Sequence, residues 1–230
     1  MATSDRPRVI CHMVPSVDGR IVLRDWKVDR KKLTAEYERT AETLRGDAWI
    51  IGRISMEPYA GKARIPARSG RGRIARTDFV ARDDAPSYAI AIDPSGKLRW
   101  ESASIDEEHA VTVLGEQVSD RYLAFLRAKG VSYLFGGRDR IDLAAVLRKL
   151  RRRFGIRRLL LEGGGGINGT FLAAGLVDEL SILVAPVADG SVGTPTLFDA
   201  PGARGTARSF RLLSVERRPG DLVWLRYAVR

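Results

Sequence analysis

Residues 159–171 read LLLEGGGGINGTF, and this stretch decides how the fold is interpreted. The leucines predict a short buried strand, and Glu162 follows at its end. The four glycines remove every side chain from the turn, after which residues 167–174 predict a helix that ends at Gly175. A strand, a bare loop and a helix N-terminus indicate an anion site, because free N–H groups and the helix dipole both favour a phosphate.

The glycine loop, residues 163–166, also has a simpler explanation as a tight strand-to-helix turn without a ligand. A turn alone needs fewer than four successive glycines, because each glycine loses more conformational freedom on folding than any other residue. Glycines also let a bulky diphosphate approach the main chain closely. The sequence therefore predicts phosphate or dinucleotide binding at this loop.

The rest of the chain alternates between strand and helix patterns. Strands are predicted at 8–14, 47–52, 87–93, 109–114, 131–135 and 177–186, and helices at 32–45, 119–129 and 142–155. This alternation is typical of an α/β fold with a mostly parallel central sheet flanked by helices. Residues 210–217 and 222–229 predict an antiparallel C-terminal hairpin. No linker interrupts the pattern, so we predict one domain over residues 1–230.

Composition and charge narrow the class of protein. The chain of 230 residues carries a net charge of +11 and a single cysteine, Cys11, which excludes a disulfide framework. It has no apolar run of membrane-spanning length and no signal-peptide pattern, so we expect a cytoplasmic protein. Residues 62–82 form a basic loop without interleaved aromatic residues or zinc-finger spacing. A cleft for a phosphorylated small molecule is therefore favoured over a nucleic-acid surface.

The spacing Gly164-x-Gly166-x-x-Gly169 matches the Rossmann dinucleotide fingerprint, but its place in the chain does not suit that fold. An acidic residue follows about 20 positions later, as the fingerprint requires, at Asp189. Only about 60 residues follow the last glycine, however, which is too few for a complete six-stranded Rossmann sheet. A second phosphate-contacting loop must come from earlier in the sequence, and residues 52–55 (GRIS), at a strand end, are a candidate.

Three segments carry a resemblance to a known family. They read SVDGR at 16–20, GRISM at 52–56 and LEGGGGINGTFLAAGLVDELSILVAPV at 161–187. They resemble the reductase domain of riboflavin biosynthesis, the C-terminal half of the deaminase–reductase RibD, and its stand-alone relatives. The resemblance implies a dihydrofolate reductase-like fold, NADPH, a homodimer and reduction of a ribosylamino group on a pyrimidine phosphate, as in 5-amino-6-(5-phosphoribosylamino)uracil reductase. The zinc signature of the deaminase is missing from the sequence, and no metal site is predicted.

The resemblance implies roles for individual residues. Gly52 and Ser55 would contact the cofactor, and Arg53 would meet its ribose 2′-phosphate, since a guanidinium fits phosphate geometry. The substrate would be contacted by Ser16, Asp18 and Glu162. The cofactor diphosphate would be held by Gly164, Gly165, Gly166, Ile167, Asn168, Gly169 and Thr170.

Glu162 and His12 are the candidates for catalysis, because reduction of an imine-like carbon also needs a proton, from a side chain or from water. Each candidate has a structural alternative. Glu162 could cap the N–H groups of its own loop, and His12, which aligns with a common lysine of the family, could be a core histidine. Asp18 could be a plain turn residue. Trp26 is a candidate to cover the nicotinamide or pyrimidine ring.

The sequence departs from the family pattern after Met56, where residues 57–61 (EPYAG) replace an Ala-Asp-Asp-Pro-like segment. Arg64 or Arg68 in the basic loop could then replace the expected phosphate clamp. The departure keeps two alternatives open. One is a pteridine- or dihydrofolate-type reductase of the same fold, and the other is a non-catalytic protein that binds nucleotides or nucleic acid through the basic loop.

Overall fold

A computed structural model describes residues 4–66, 73–200, 202 and 207–230. Within this part of the chain, ten strands and five α-helices follow in the order β1 Arg8–Met13, α1 Arg30–Leu44, β2 Ala48–Gly52, α2 Arg53–Ala60, β3 Tyr88–Ile92, β4 Ser104–Ile105, β5 Glu108–Gly115, α3 Asp120–Lys129, β6 Ser132–Gly137, α4 Leu143–Phe154, β7 Arg158–Leu161, α5 Gly165–Ala173, β8 Glu179–Val184, β9 Phe210–Arg218 and β10 Leu222–Val229. A 3₁₀ turn at Leu23–Asp25 precedes α1. The elements group into two compact units.

The first unit contains residues 47–157, together with the N-terminal segment up to Pro7, and is built on parallel strands. β2 pairs with β3, β3 with β5 and β5 with β6, all in parallel, while the short β4 pairs antiparallel with the start of β5. The core is apolar and includes the fully buried side chains of Trp100 and Tyr133. β3 is buried along its whole length, as expected for a parallel strand whose two faces are both covered.

Helices of the first unit begin and end at the capping residues that the sequence contains. α4 begins after Asp142, whose carboxylate accepts a hydrogen bond from the Ala145 N–H (2.9 Å), and it ends at Gly155, which has a φ of 69°. α3 begins after Ser119 and ends at Gly130 in the same way. Both helices confirm the sequence prediction.

The second unit contains residues 8–46 and 158–230, and its strand order is β7-β1-β8-β10-β9. β1 pairs in parallel with β7 on one side and with β8 on the other. β10 pairs antiparallel with β8 and with β9, which confirms the predicted C-terminal hairpin and the α/β class. The carboxyl ends of β1, β7 and β8 lead into the SVDGR turn (residues 16–20), the glycine loop and residues 185–200. Ligands of open α/β sheets bind at this end of the strands.

The basic loop is only partly described, and residues 67–72, which include Arg68, lie outside the described residues. Its described flanks are attached to the first unit. Phe79 forms an antiparallel bridge with Tyr133, and Asp78 accepts hydrogen bonds from the Phe135 N–H (2.9 Å) and from Lys149 (2.9 Å). Among the described helices, none is long and apolar enough to cross a membrane. The prediction of a single domain over residues 1–230 stays a prediction.

Candidate functional site

The glycine loop has the geometry of a strand-to-helix turn with an accessible helix N-terminus. β7 ends at the buried Leu161, Glu162 is half-buried, and Gly164 adopts a φ of 29° as the N-cap of α5. The Asn168 N–H donates to the Gly164 carbonyl oxygen (3.2 Å), which is the first bond of the helix. The N–H groups that precede it have no acceptor within the helix, and the N–H groups at such a helix N-terminus can bind an anion.

Two glycines of this motif are required by packing within the protein. A Cβ on Gly165 would lie 2.2 Å from the Thr196 carbonyl oxygen, and one on Gly169 would lie 2.4 Å from the Asp199 carbonyl. Asn168 is fully buried, and its side-chain amide donates to the Leu197 carbonyl oxygen (3.1 Å). These residues hold residues 196–200 against α5. The cofactor contacts predicted for Gly165, Asn168 and Gly169 stay predictions.

Gly166 differs from these glycines because it faces open space. It is exposed, and a Cβ built on it would have the Asp199 carbonyl oxygen as its nearest neighbour, at 4.0 Å. Thr170 is also exposed, and its hydroxyl donates to the Gly166 carbonyl oxygen (2.7 Å). Ile167 is half-buried. The accessible side of the loop is therefore the side of Gly166.

A carboxylate already lies beside the N-terminus of α5. Asp199 accepts hydrogen bonds from the Thr196 N–H (2.9 Å) and the Thr196 hydroxyl (2.6 Å), and its own N–H donates to the Gly165 carbonyl oxygen (2.8 Å). A negative side chain at this end of a helix is stabilised by the helix dipole. The Asp199 charge would repel a phosphate that approaches on the side of Gly165.

The SVDGR turn holds the segment of residues 187–200 at Asp189 and Gly190. The Ser16 hydroxyl donates to Asp18 (2.6 Å) and accepts from the Arg20 N–H (2.9 Å). The Asp18 carboxylate accepts from the N–H groups of Asp189 (2.9 Å) and Gly190 (2.8 Å). These bonds, led by the one from Ser16, lower the pKa of Asp18 well below its usual range. Ser16 and Asp18 thus anchor the loop, and their predicted contact with substrate stays a prediction.

A cavity of about 480 Å³ opens beside this turn within the second unit. Its volume lies in the range of small-molecule sites. It lies where β8 ends and beside the 3₁₀ turn at Leu23–Asp25. Its wall is formed by Val22, Asp25, Trp26, Lys27, Pro186, Val187, Ala188, Asp189, Ser191 and Thr194. Trp26, for which the sequence offered only a role as a ring cover, is therefore a wall residue of this cavity.

His12 is a core residue in this structure. It is fully buried and stacks on Tyr37, with ring centroids 4.3 Å apart. Its Nδ1 lies 3.0 Å from the Ser181 hydroxyl, and its Nε2 lies 3.2 Å from the Tyr37 carbonyl oxygen. Burial lowers the pKa of His12 to about 4, so the ring is neutral at pH 7. A buried neutral ring is a weak acid at that pH, and the catalytic role of His12 stays a prediction.

Cys11 on β1 and residues 52–55 between β2 and α2 also have defined surroundings. The Cys11 thiol is buried, and burial together with the Glu162 charge raises its pKa far above its usual range.

In the first unit, Gly52 ends β2 and precedes α2. Arg53 forms an ion pair with Glu57 one helical turn away, and Ser55 is half-buried. The cofactor role of residues 52–55 stays a prediction.

Sequence comparison assigns the family. The RibD C-terminal domain family matches residues 7–224. The chain belongs to this family. A RibD C-terminal relative from Methanothermobacter thermautotrophicus, named 2,5-diamino-6-ribosylamino-4(3H)-pyrimidinone 5′-phosphate reductase, is 36% identical over 210 residues and aligns with 90% of each chain. The resemblance seen in the three sequence segments is thereby confirmed.

Solved structures agree with this assignment at the level of the fold. A pyrimidine reductase-like protein from Corynebacterium diphtheriae superposes with a TM-score of 0.70 at 17% identity, covering 97% of this chain and 92% of that chain. A Thermotoga maritima deaminase and 5-amino-6-(5-phosphoribosylamino)uracil reductase superposes with a TM-score of 0.61 at 15% identity, covering 98% of this chain and 57% of that chain. The predicted reductase fold is confirmed.

Sequence reasoning missed the part of the site that comes from residues 187–200. Asp189 was noticed only as the acid of a rejected Rossmann fingerprint, and Asp199 was not singled out. The available signal was the density of turn residues in residues 188–199, ADGSVGTPTLFD, which the sequence predicts only as a loop. Their partners, Asp18 and Gly165, are distant in sequence, and no local pattern connects them.

Proposed function

We propose that this chain is an NADPH-dependent reductase of a ribosylaminopyrimidine 5′-phosphate in riboflavin biosynthesis. The observation that carries the proposal is the 36% identity to the Methanothermobacter reductase over 90% of both chains. The glycine loop supports it, because an exposed Gly166 at the N-terminus of α5 leaves main-chain N–H groups available to a diphosphate. The 480 Å³ cavity supports it by its size.

The residues present fit a dinucleotide at the glycine loop. A side chain at Gly166 would fill the open space that a diphosphate needs, and the half-buried Gly164 and Ile167 flank it. The nicotinamide supplies the hydride when bound, while the protein contributes binding, orientation and the exclusion of water. Gly52, Arg53 and Ser55 are proposed as further cofactor residues from the resemblance, with Arg53 favouring NADPH over NADH.

The proposed reaction adds two hydrogens to the substrate. A hydride adds to C1′ of the ring-opened imine and a proton goes to the attached nitrogen, so that the C=N bond becomes the CH₂–NH bond of a ribitylamino group. We assign delivery of the proton to Glu162 acting with a water molecule beside it, because Glu162 is half-buried at the end of β7 whereas His12 is fully buried in the core. A cytoplasmic location remains part of the proposal.

The test is an assay of the purified protein with the pyrimidine phosphate and either NADPH or NADH. Absorbance would follow the oxidation of the cofactor, and mass spectrometry would detect a product heavier by two hydrogens. We expect oxidation of NADPH that depends on substrate. If dihydropteridine or dihydrofolate is reduced and the pyrimidine phosphate is not, the protein is a pteridine- or dihydrofolate-type reductase and the proposed pyrimidine reductase function is wrong.

A function in nucleic-acid binding receives less support from the basic loop. Arg76 of this loop pairs with Asp120, and Arg82 pairs with Asp84, so part of the loop's charge is neutralised within the first unit. Side chains held in such pairs are less available to phosphates. We therefore keep the reductase as the proposed function.

We further propose that the reductase is a homodimer. One face of the C-terminal hairpin carries apolar side chains that are well exposed, with exposed fractions of 36–56% at Leu212, Val215, Val223 and Val229, and Arg217 lies at its edge beside Val223. The opposite face of the hairpin carries Trp224, which is buried. A second copy of the chain is the occupant that the family resemblance implies, and an isologous contact would cover the same patch on both copies.

Light scattering on wild type and Val215→Arg tests the dimer. We expect wild type to have the mass of two chains and the variant to have the mass of one, because an unpaired charge at the centre of an apolar interface is strongly unfavourable. Ser95→Arg, at an exposed position of the first unit, is the matched control and should stay dimeric. A monomeric wild type would contradict the proposal.

A further inference from the structure

The charges around the 480 Å³ cavity indicate which part of a substrate it accepts. Its charged wall residues are Asp25, Asp189 and Lys27, which gives two carboxylates and one ammonium group. A phosphate group would meet a net negative wall and be repelled. An uncharged ring that carries N–H donors would instead find acceptors there, and the Trp26 side chain adds an apolar surface. The cavity therefore fits the pyrimidine ring better than the phosphate.

Asp189 is the carboxylate of this wall that the protein holds in place. Its Oδ2 accepts a hydrogen bond from the Trp26 indole N–H (2.7 Å), and its Oδ1 accepts from the N–H (3.1 Å) and hydroxyl groups of Ser191. Its own N–H is bound by Asp18 (2.9 Å). Asp25, in contrast, is mostly exposed, and its partner within the described part of the chain is Arg24, at 3.5 Å.

The Asp189 carboxylate remains charged and keeps room for a further donor. The Ser191 hydroxyl and then the Trp26 indole lower its pKa, which outweighs the opposing charge of Asp18. A carboxylate offers about four acceptor positions, and among the residues that the structure describes, Trp26 and Ser191 use three of them. One position on Oδ2 is left for a substrate N–H.

We propose that Asp189 selects pyrimidines that carry an amino group at ring position 2 over those that carry an oxygen there, by accepting a hydrogen bond from that amino group. This inference rests on the proposed reductase function. The Methanothermobacter relative is named for a 2,5-diaminopyrimidinone, whereas the Thermotoga protein is named for a uracil. Both compounds carry the 5-amino group, so position 2 is where their rings differ.

The selection follows from the opposite hydrogen-bonding character of the two groups. An exocyclic amino group donates to a carboxylate, and a bond to a charged acceptor is about twice as strong as a neutral one. A carbonyl oxygen at the same position only accepts, so it would face the Asp189 charge without a proton between them. Sites that are built to bind a polar group reject an analogue that leaves their own polar groups unpaired. The 2-amino substrate is therefore favoured.

The test compares kcat/KM for the two substrates in wild type and in Asp189→Asn. The asparagine side chain has the same shape without the charge, and its amide can donate to a carbonyl oxygen. We expect wild type to favour the 2-amino compound by about tenfold or more, and Asp189→Asn to narrow this preference to within about threefold. Asp84→Asn, which removes an exposed charge in the first unit, is the control and should keep the wild-type ratio.

The outcomes separate this inference from the proposed function. A wild type that reduces both pyrimidines equally well, or an Asp189→Asn variant with an unchanged ratio, would overturn the role of Asp189 while leaving the reductase intact. A wild type that reduces neither pyrimidine would overturn the proposed function itself. An equal loss of activity on both substrates in Asp189→Asn would assign Asp189 to the structure of the loop and would also overturn the inference.

Discussion

The glycine loop and the SVDGR turn hold the same segment, residues 187–200, by opposite means. At the glycine loop and in α5 this contact depends on the absence of side chains. The main chain of residues 196–200 lies where a Cβ on Gly165 or Gly169 would be. At the SVDGR turn it depends on the side chains of Ser16 and Asp18. Both motifs were first interpreted as ligand contacts. The contact at the glycines should therefore be disrupted by adding a side chain, whereas the contact at the SVDGR turn should be disrupted by removing one.

The largest expected effect comes from adding one methyl group at Gly169. Gly169→Ala places a Cβ 2.4 Å from the Asp199 main chain, so one of the two must move, and we expect a loss of about 3 kcal/mol in the free energy of unfolding. Gly166→Ala is the matched control in the same helix. It meets no close neighbour and should stabilise the protein by up to about 1 kcal/mol. Denaturant unfolding measures both, and equal effects would contradict the packing role of Gly169.

His12, on the strand β1 that leads into the SVDGR turn, makes a pH-dependent contribution of intermediate size to the free energy of unfolding. His12 has a folded-state pKa of about 4, below its unfolded value, so the unfolded state takes up the proton first as the pH falls. The contribution is present above about pH 6.5 and is lost as the pH falls towards 4. We expect a loss of about 2 kcal/mol between pH 7 and pH 5. Replacement of His12 by Asn should flatten this part of the curve, and an unchanged slope would contradict its buried neutral state.

A smaller effect is expected from removing one hydroxyl group at the SVDGR turn. Ser16→Ala leaves the Arg20 N–H without its side-chain acceptor and removes a donor from Asp18, which should cost about 1 kcal/mol of unfolding free energy. Ser95→Ala removes an exposed hydroxyl and serves as the control, with a change within about 0.5 kcal/mol. Thermal unfolding of the two variants would compare them directly. A Ser16→Ala variant as stable as Ser95→Ala would weaken the anchoring role of this turn.

Local patterns in the sequence were sufficient for the elements but not for their mutual contacts. The capping residues Asp142 and Gly155 predicted the limits of α4, and the apolar run RVICHMV that contains His12 already indicated a buried strand. The same run indicated a core position as the alternative role of that histidine, and the structure buries it fully. The contact of Asp199 with Gly165 could not be predicted, because a glycine required by a neighbouring main chain has no signature different from one required by a ligand.

The central claim is that the open side of the glycine loop, at Gly166, holds the dinucleotide diphosphate. The most direct test is the dissociation constant of NADPH for Gly166→Asp and Gly166→Asn, measured by fluorescence titration. Both side chains have the same size and enter open space, so both variants should fold, and they differ only in charge. We predict that the aspartate variant binds NADPH at least about tenfold more weakly than the asparagine variant, because its carboxylate repels the diphosphate. Equal dissociation constants for the two variants would contradict the account.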